Sequence, residues 1–313
     1  MRALVLGGNG FIGSHVVDRL IAAGHFVRVF DRSPEQFRAP IDGIDYVLGD
    51  FDDRGSLDQA LDGVDTIFHL ISTTVPSTSN DDPIADVSGN LISSLQLFDL
   101  SIKKGVGKIV FLSSGGTVYG IPEHLPVAED SPTQPICSHG VTKLAIERYL
   151  YMYRRLHGLD HTILRVSNPY GERQGHIGVQ GVISTFIDRV LRGQEIEIWG
   201  DGTIERDYIH VGDVADACLR AGESNCSGVF NIGSGDASSI MQIIQSLSTA
   251  SGRTIEPVYK LGRDFDVPRN VLDCAKAESE LGWTSTVRLD VGIEQTWTWA
   301  ESRFPSSRAA PRT

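Results

Sequence analysis

Gly7-Gly8-Asn9-Gly10-Phe11-Ile12-Gly13 follows an apolar run at 3–6 and opens a helical pattern at 11–23. A glycine-rich turn between a strand and a helix is the setting a dinucleotide-binding turn requires. Gly7 permits the tight turn, Gly10 lets the backbone approach a pyrophosphate, and Gly13 allows close helix–strand packing. The amides of Phe11 and Ile12 then face the anion at the positive end of the helix. Two frames coexist, Gly8-x-Gly10-x-x-Gly13 and Gly7-x-x-Gly10-x-x-Gly13. The plain alternative is a glycine-rich turn with no ligand.

Outward from that turn, short apolar runs alternate with helical patterns. Strands are expected at 3–6, 26–30, 45–48, 66–70, 108–112 and 162–166, and helices near 11–23, 54–61, 86–104, 140–157 and 179–192. Such alternation implies right-handed crossovers and a parallel sheet. The expected fold is α/β, a Rossmann-type doubly wound parallel sheet with a smaller mixed α/β C-terminal unit. The larger unit is expected to take residues 1–167 and return at about 207–231. The smaller would take 168–206 and 232–304, leaving a polar tail at 305–313.

Asp31 ends the second expected strand, 18 residues past Gly13. A carboxylate there accepts from the ribose hydroxyls of an adenine dinucleotide and repels a 2′-phosphate, which favours NAD over NADP. Arg32 points the other way, because a guanidinium could face that phosphate.

Of 313 residues, 41% are apolar and 22% charged, with a net charge of −12 and no extended basic cluster. A nucleic-acid backbone would find no electrostatic footing. The four cysteines at 137, 218, 226 and 274 show neither a disulfide framework nor metal spacing, and no metal site is expected. No apolar run reaches the roughly 18 residues of a membrane span. With a strand expected from the first residues and no leader-like segment, the default setting is cytoplasmic.

Two further stretches carry chemistry. Phe111-Leu112-Ser113-Ser114-Gly115-Gly116-Thr117-Val118-Tyr119-Gly120 runs from a strand into a loop, and Ser138-His139-Gly140-Val141-Thr142-Lys143 opens a helix. Together they resemble the catalytic segments of the extended short-chain dehydrogenase/reductases, most closely the nucleotide-sugar 4-epimerases. The glycine frame beginning at Gly7 is also that family's.

The resemblance spans about residues 1–300 and implies bound NAD, a nucleotide sugar and a homodimer built on the helices near 86–104 and 140–157. Leu91, Leu95, Leu97, Phe98, Leu144, Leu150 and Tyr151 supply apolar faces there, unless the sheet claims them. Asp50 and Phe51 resemble an adenine-contacting Gly-Asp turn. Leu70 and Ser72 resemble a His-Leu-Ala-Ala turn passing the ribose and pyrophosphate, beside a structural His69. Asn90 matches a structural Asn, and Ser113 lies in the loop along the cofactor. Asn168 is the Asn of an Arg-x-x-Asn-x-Tyr-Gly turn, which in the family contacts the substrate diphosphate. Arg206 and Arg263 match two phosphate-binding arginines, while Asp207 and His210 look like braces. Asn270 stands at the gate for the hexose 2-substituent; being smaller than Tyr, it implies tolerance of UDP-GlcNAc as well as UDP-glucose. The base could be UDP, dTDP, CDP or GDP.

Two departures bear on chemistry. The family's Tyr, four residues before Lys143, is His139, and its third loop Ser is Gly115, leaving Ser114 or Thr117 to share the proton. A tyrosinate becomes neutral on taking a proton; an imidazole becomes a cation beside Lys143. At about 5 Å and an effective dielectric near 20 that repulsion is roughly 3 kcal/mol, or about two decades of rate. His139 is therefore expected either to serve as a weakened base or to leave a binding protein that turns over poorly. The Gly115-Gly116-Thr117 stretch also lacks the acid that dehydratase relatives carry, which favours oxidation and re-reduction at C4.

Overall fold

The computed structural model describes residues 1–175, 181–261 and 268–304. The first half runs Arg2–Leu6 (β1), Phe11–Ala22 (α1), Phe26–Asp31 (β2), Asp45–Leu48 (β3), Arg54–Ala60 (α2), Thr66–His69 (β4), Pro83–Asp86 (α3), a π-helical segment Val87–Ile92, Ser93–Lys104 (α4), Lys108–Ser114 (β5), Ser138–His157 (α5) and Asp160–Val166 (β6). Then follow Asn168–Tyr170 (β7), Val182–Leu191 (α6), Glu197–Trp199 (β8), Glu205–His210 (β9), Val211–Glu223 (α7), Gly228–Ile232 (β10), Ala237–Ser239 (β11), Ile240–Ser251 (α8), Val258–Lys260 (β12), Arg269–Asn270 (β13), Ala275–Leu281 (α9) and Leu289–Arg303 (α10).

Seven parallel strands form one sheet in the order β10-β6-β5-β4-β1-β2-β3. This is the expected doubly wound architecture, with the order reversing between β1 and β4, where ligands of open α/β sheets sit beyond the strand ends. Two apolar cores flank the sheet. One packs α1, α7 and Trp283 against it; the other packs α2, α4 and α5. A third core, around Phe186, Ile187, Ile243 and Trp297, holds α6, α8 and α10. It is bordered by a small sheet in which β9 pairs β7, β11 and β13. Residues 207–210, read from sequence with the larger unit, thus belong to the small sheet; the chain rejoins the large one through α7 and β10.

The helix expected over 86–104 is continuous from 83 to 104, with right-handed helical backbone at each junction, and widens to a π-helical stretch at Val87–Ile92. Ser94 Oγ donates to the Asn90 carbonyl at 2.6 Å and Ser93 Oγ to that of Ser88 at 3.3 Å. Such side-chain bonds compete with the regular helical ladder and widen the turn. Of the residues named for a helical interface, Leu97, Phe98 and Leu150 are fully buried in this chain's own core, so the sheet claims them. Tyr151, with Tyr149, Met152 and Leu156, stays exposed on α5. Among the described residues no helix is long and apolar enough to cross a membrane.

Candidate active site

The β1–α1 turn is packed as its glycines require. A Cβ on Gly13 would lie 2.0 Å from the Gly7 carbonyl oxygen, so α1 could not approach β1 with any other residue there. A Cβ on Gly10 would meet only that same oxygen, at 3.2 Å, so its outer side is open for a ligand's phosphates. Asp31 holds the turn from the end of β2: its carboxylate accepts from the amides of Asn9 (3.1 Å) and Ser33 (3.0 Å). Arg32 and Asp50 are exposed beside it, while Phe51 is buried against the His69 ring at 5.1 Å.

His69 is fully buried, bonded through Nε2 to Ser94 Oγ at 2.9 Å. Burial, with the charge of Lys143 adding, pushes it down to about 3, so it is neutral and structural. Leu70 follows it, half-buried, with its amide on the Leu6 carbonyl. Ser72 is exposed and donates to the Thr74 carbonyl. Asn90 accepts from the Thr73 amide at 2.8 Å and donates to Asp86, which fixes the loop that Ser72 lies on.

At the end of β5, Lys143 is buried with its ammonium on the Leu112 carbonyl at 2.9 Å and 4.8 Å from the Phe111 ring centre. Burial pulls it down to about 8, against the opposing charges of Asp86 and Glu147. His139 lies one turn earlier on α5, 8% exposed. Burial first, then Lys143, lowers it to about 4 against the pull of Asp86, so near neutrality it is an uncharged imidazole. Its own amide donates to Ser79 Oγ at 3.1 Å, and that of Ser138 to Asn80 Oδ1 at 2.8 Å. The start of α5 is thus capped from the loop after β4, a partnership no local signal announces.

Ser114 ends β5, and Thr117 belongs to the loop after it, which α5 touches. A Cβ on Gly140 would come within 2.7 Å of the Thr117 carbonyl, so this glycine lets the helix carrying His139 close on the loop. The Thr117 hydroxyl is buried with no hydrogen-bond partner, which leaves it for a ligand. Ser113 does not face the ligand side with its hydroxyl, which donates instead to Glu147. Glu147 also takes a bidentate pair from Arg165, Nη2–Oε2 2.7 Å and Nε–Oε1 3.1 Å. Burial disfavours the guanidinium charge, but Glu147 outweighs it and holds Arg165 above its ordinary value. Arg165 in turn donates to Tyr119 OH, which donates to Asn231. This buried network joins β5, α5, β6 and β10. Glu147, four residues past Lys143, was the available signal for it.

Position 115 is sealed as well as bare. A Cβ there would lie 2.5 Å from Leu272 Cδ1 and 3.0 Å from the Arg165 carbonyl oxygen. Leu272 is 1% exposed and packed with Val118, Tyr119 and Val127, which leaves its side chain little room to swing away. Asp207 accepts from the amide of Leu272, the amide and hydroxyl of Ser234 and the hydroxyl of Ser167. It braces the strand ends as the sequence suggested, and burial raises it despite these donors.

Beyond this seam lies a cavity of about 530 Å³ lined by Asn168, Tyr170, Phe186, Arg189, Trp199, Arg206 and Tyr208, among others. Asn168 donates to the Asp207 carbonyl at 2.8 Å, which turns it into the cavity wall. Arg206 lies directly across from the buried Asn270 in the β9–β13 pairing. Arg189, one helix away, adds a cation the sequence reading missed; it stands on the amphipathic α6 with no motif to mark it. Arg263 lies outside the described residues.

The family description "NAD dependent epimerase/dehydratase family" matches residues 3–233. The chain belongs to that family. A UDP-glucose 4-epimerase of Mycolicibacterium smegmatis is 38% identical over 309 residues, covering 95% of this chain and 97% of the relative. The UDP-glucose 4-epimerase of Thermotoga maritima, solved with UDP-glucose, superposes with a TM-score of 0.92 at 38% identity over 97% of this chain and 99% of its own. That of Thermus thermophilus, solved with NAD, gives 0.89 at 33% identity over 96% and 98%. Family membership accords with the open Gly10 face, the braced Asp31 and the buried Lys143, all of which suit NAD.

Proposed function

We propose that this chain is an NAD-dependent nucleotide-sugar 4-epimerase acting on UDP-hexoses, weakened by its imidazole at position 139. The single observation that carries the reading is spatial. The glycine turn, the 115–117 loop and Asn168 follow β1, β5 and β6, strands of one parallel sheet, so all three lie beyond the same strand ends, as a dinucleotide and an activated sugar meeting at one carbon require. Relatives named for this activity share nearly the whole length of the chain.

Gly7, Gly10, Gly13 and the amides of Phe11 and Ile12 would hold the pyrophosphate of NAD, Asp31 its adenine ribose, and Lys143 its nicotinamide ribose. Bound there, NAD would supply reversible oxidation at the sugar's C4. His139 would take the proton of the C4 hydroxyl and later return it, and the unpartnered Thr117 hydroxyl, with Ser114, would hold that oxygen in line. Arg206 and Asn168 would grip the diphosphate, a planar fork of donors suiting two phosphates. Arg189 stands at the same wall, paired there with Glu197. Asn270 leaves room for a 2-acetamido group, so UDP-N-acetylhexosamines join the substrate class.

A second reading is a protein that binds both ligands without turnover. Leu272 in the space of a side chain at 115, together with His139, favours it. The reading also takes the chain to be a cytoplasmic homodimer supplying activated hexoses to polysaccharide synthesis, supported by four free thiols and the exposed Tyr149, Tyr151, Met152 and Leu156.

The test is incubation of purified protein with NAD⁺ and UDP-glucose or UDP-GlcNAc, followed by proton NMR. Appearance of the galacto epimer supports the reading. Binding of both ligands by calorimetry without interconversion selects the second one, and binding of neither sinks both.

A further inference from the structure

Asp86 ends α3 at zero exposure. Its two oxygens accept four side-chain bonds: from Thr74 Oγ1, Asn90 Nδ2 (2.8 Å), Ser138 Oγ (2.6 Å) and Thr142 Oγ1 (2.9 Å). All four donors are neutral. A buried carboxylate is costly even when neutral donors satisfy it, and the cation that faces it, Lys143, gives its hydrogen bond to the Leu112 carbonyl instead, which leaves the charge open to another use. Burial pushes its carboxyl up, but the four donors outweigh it, so it stays ionised.

Two of those donors identify the use. Ser138 and Thr142 stand one residue before and three residues after His139, on the first turns of α5. The carboxylate is thereby pinned against the helix start that carries the candidate base. That start is electrostatically unkind to a cation: the helix dipole is positive there, the N-cap Cys137 contributes no side-chain bond, and Lys143 follows one turn on. The charged groups facing His139 are Lys143 on its own helix and Asp86 from α3. Lys143 is itself faced by Asp86, Glu147 and His69. Glu147 is already neutralised by Arg165, and His69 is uncharged.

We propose that Asp86 is the electrostatic positioning residue of this site, a fixed counter-charge that allows the group at position 139 to become an imidazolium when it accepts the substrate proton. The inference rests on the epimerase reading for its chemistry. In that step the sugar O–H bond breaks, the proton moves to the imidazole nitrogen, and the side chain goes from charge zero to plus one between Lys143 and Asp86. The counter-charge offsets the repulsion that makes histidine a poor substitute for tyrosine beside a lysine.

The proposal makes a prediction of sign. A negative charge stabilises a protonated imidazole but opposes ionisation of a phenol. Asp86→Asn should lower turnover about tenfold in the parent. In the His139→Tyr background it should raise turnover at pH 6–7 by a similar factor, because the phenol then ionises more readily. A merely structural Asp86 would lower both.

The readout that needs no turnover is the tyrosinate absorbance near 295 nm, taken as a difference against the parent at each pH. Adding Asp86→Asn to His139→Tyr should move the phenol midpoint down by about one pH unit. Asparagine is the same shape, and the hydroxyls of Thr74, Ser138 and Thr142 can turn from donor to acceptor around it. Asp86→Ser, uncharged and smaller, is the second variant and must move the midpoint the same way. Thr142→Val, which removes one bond but keeps the charge, should leave it nearly in place.

An unmoved midpoint in both charge-removing variants overturns the proposal whatever the activity, as does a turnover loss of the same sign in both backgrounds. If no variant interconverts epimers while the midpoint still shifts, the epimerase reading fails and the counter-charge stands.

Discussion

The two ends of the site are built differently. At the dinucleotide end, His139, Lys143 and Asp86 are buried and the Thr117 hydroxyl is covered, so a charge change there is felt more strongly than at an exposed site. At the far end, Asn168, Arg189 and Arg206 line a cavity of about 530 Å³. The described residues of the far end resemble the family's pattern; the packed end departs from it at positions 115 and 139. If the far end grips the diphosphate as proposed, gripping the ligands and moving the proton are separable demands on one scaffold.

Variants at the packed end should act on stability or turnover, and those at the open end on affinity. The largest effect is expected for Glu147→Ala. It strands the Arg165 guanidinium in the interior and should cost about 3–5 kcal/mol of folding free energy, read as a lowered denaturant midpoint. If stability is unchanged, the packed end is looser than its bonds indicate.

Next comes His139→Tyr, which should raise epimerase turnover by up to about two decades, the factor set by removing like-charge repulsion. Turnover no higher than the parent's would mean that Gly115 and Leu272, not the base, limit the reaction. Arg206→Ala should then weaken UDP-sugar binding by about 2 kcal/mol, the scale of a charged hydrogen bond, with kcat little changed. A fall in kcat at constant KM would erase the distinction between the two ends. Asn270→Tyr should reduce kcat/KM for UDP-GlcNAc about tenfold relative to UDP-glucose, a difference near 1.4 kcal/mol. Equal loss on both sugars refutes the gate.

The smallest effect is on pH dependence. His69, His139 and His161 titrate near 3, 4 and 4, each lowered chiefly by burial. Their unfolded forms titrate near 6.5, so between about 6.5 and 4 the unfolded chain binds more protons and stability falls with falling pH. Lys143, lowered to about 8 from 10.5, works in another window: its charged form is disfavoured in the fold, so its contribution rises with pH from about 8 to 10.5. Turnover should nonetheless decline above about pH 8, as the ammonium is lost. A flat melting temperature from pH 7 to 5 would mean these histidines are not held neutral.

Much of the frame was legible from local pattern. The strand–turn–helix at 2–22, the short apolar runs, the helical patterns and the glycine spacing follow from near-neighbour sterics, so six strands of the seven-strand sheet and the dinucleotide turn could be read directly, the seventh only as a return of the chain near 207–231. Lys143 and His139 were legible because four residues on a helix share a face. Less visible were bonds between distant segments. The π-helical stretch at Val87–Ile92 goes with serines bonding backwards within the helix, and periodicity does not register that.

What the amino-acid order determined by itself was the sheet, the turn for a dinucleotide, and the unusual pair of residues at 115 and 139, because each is a property of short stretches of chain. Only the tertiary structure decided where the charges ended up. It set Asp86 against the start of α5, closed Glu147 onto Arg165, filled the space beside Gly115 with Leu272, and brought Arg189 to the cavity wall. The reason is physical: a side chain's charge acts across a few ångströms of space, and which residues share that space depends on how separate segments pack.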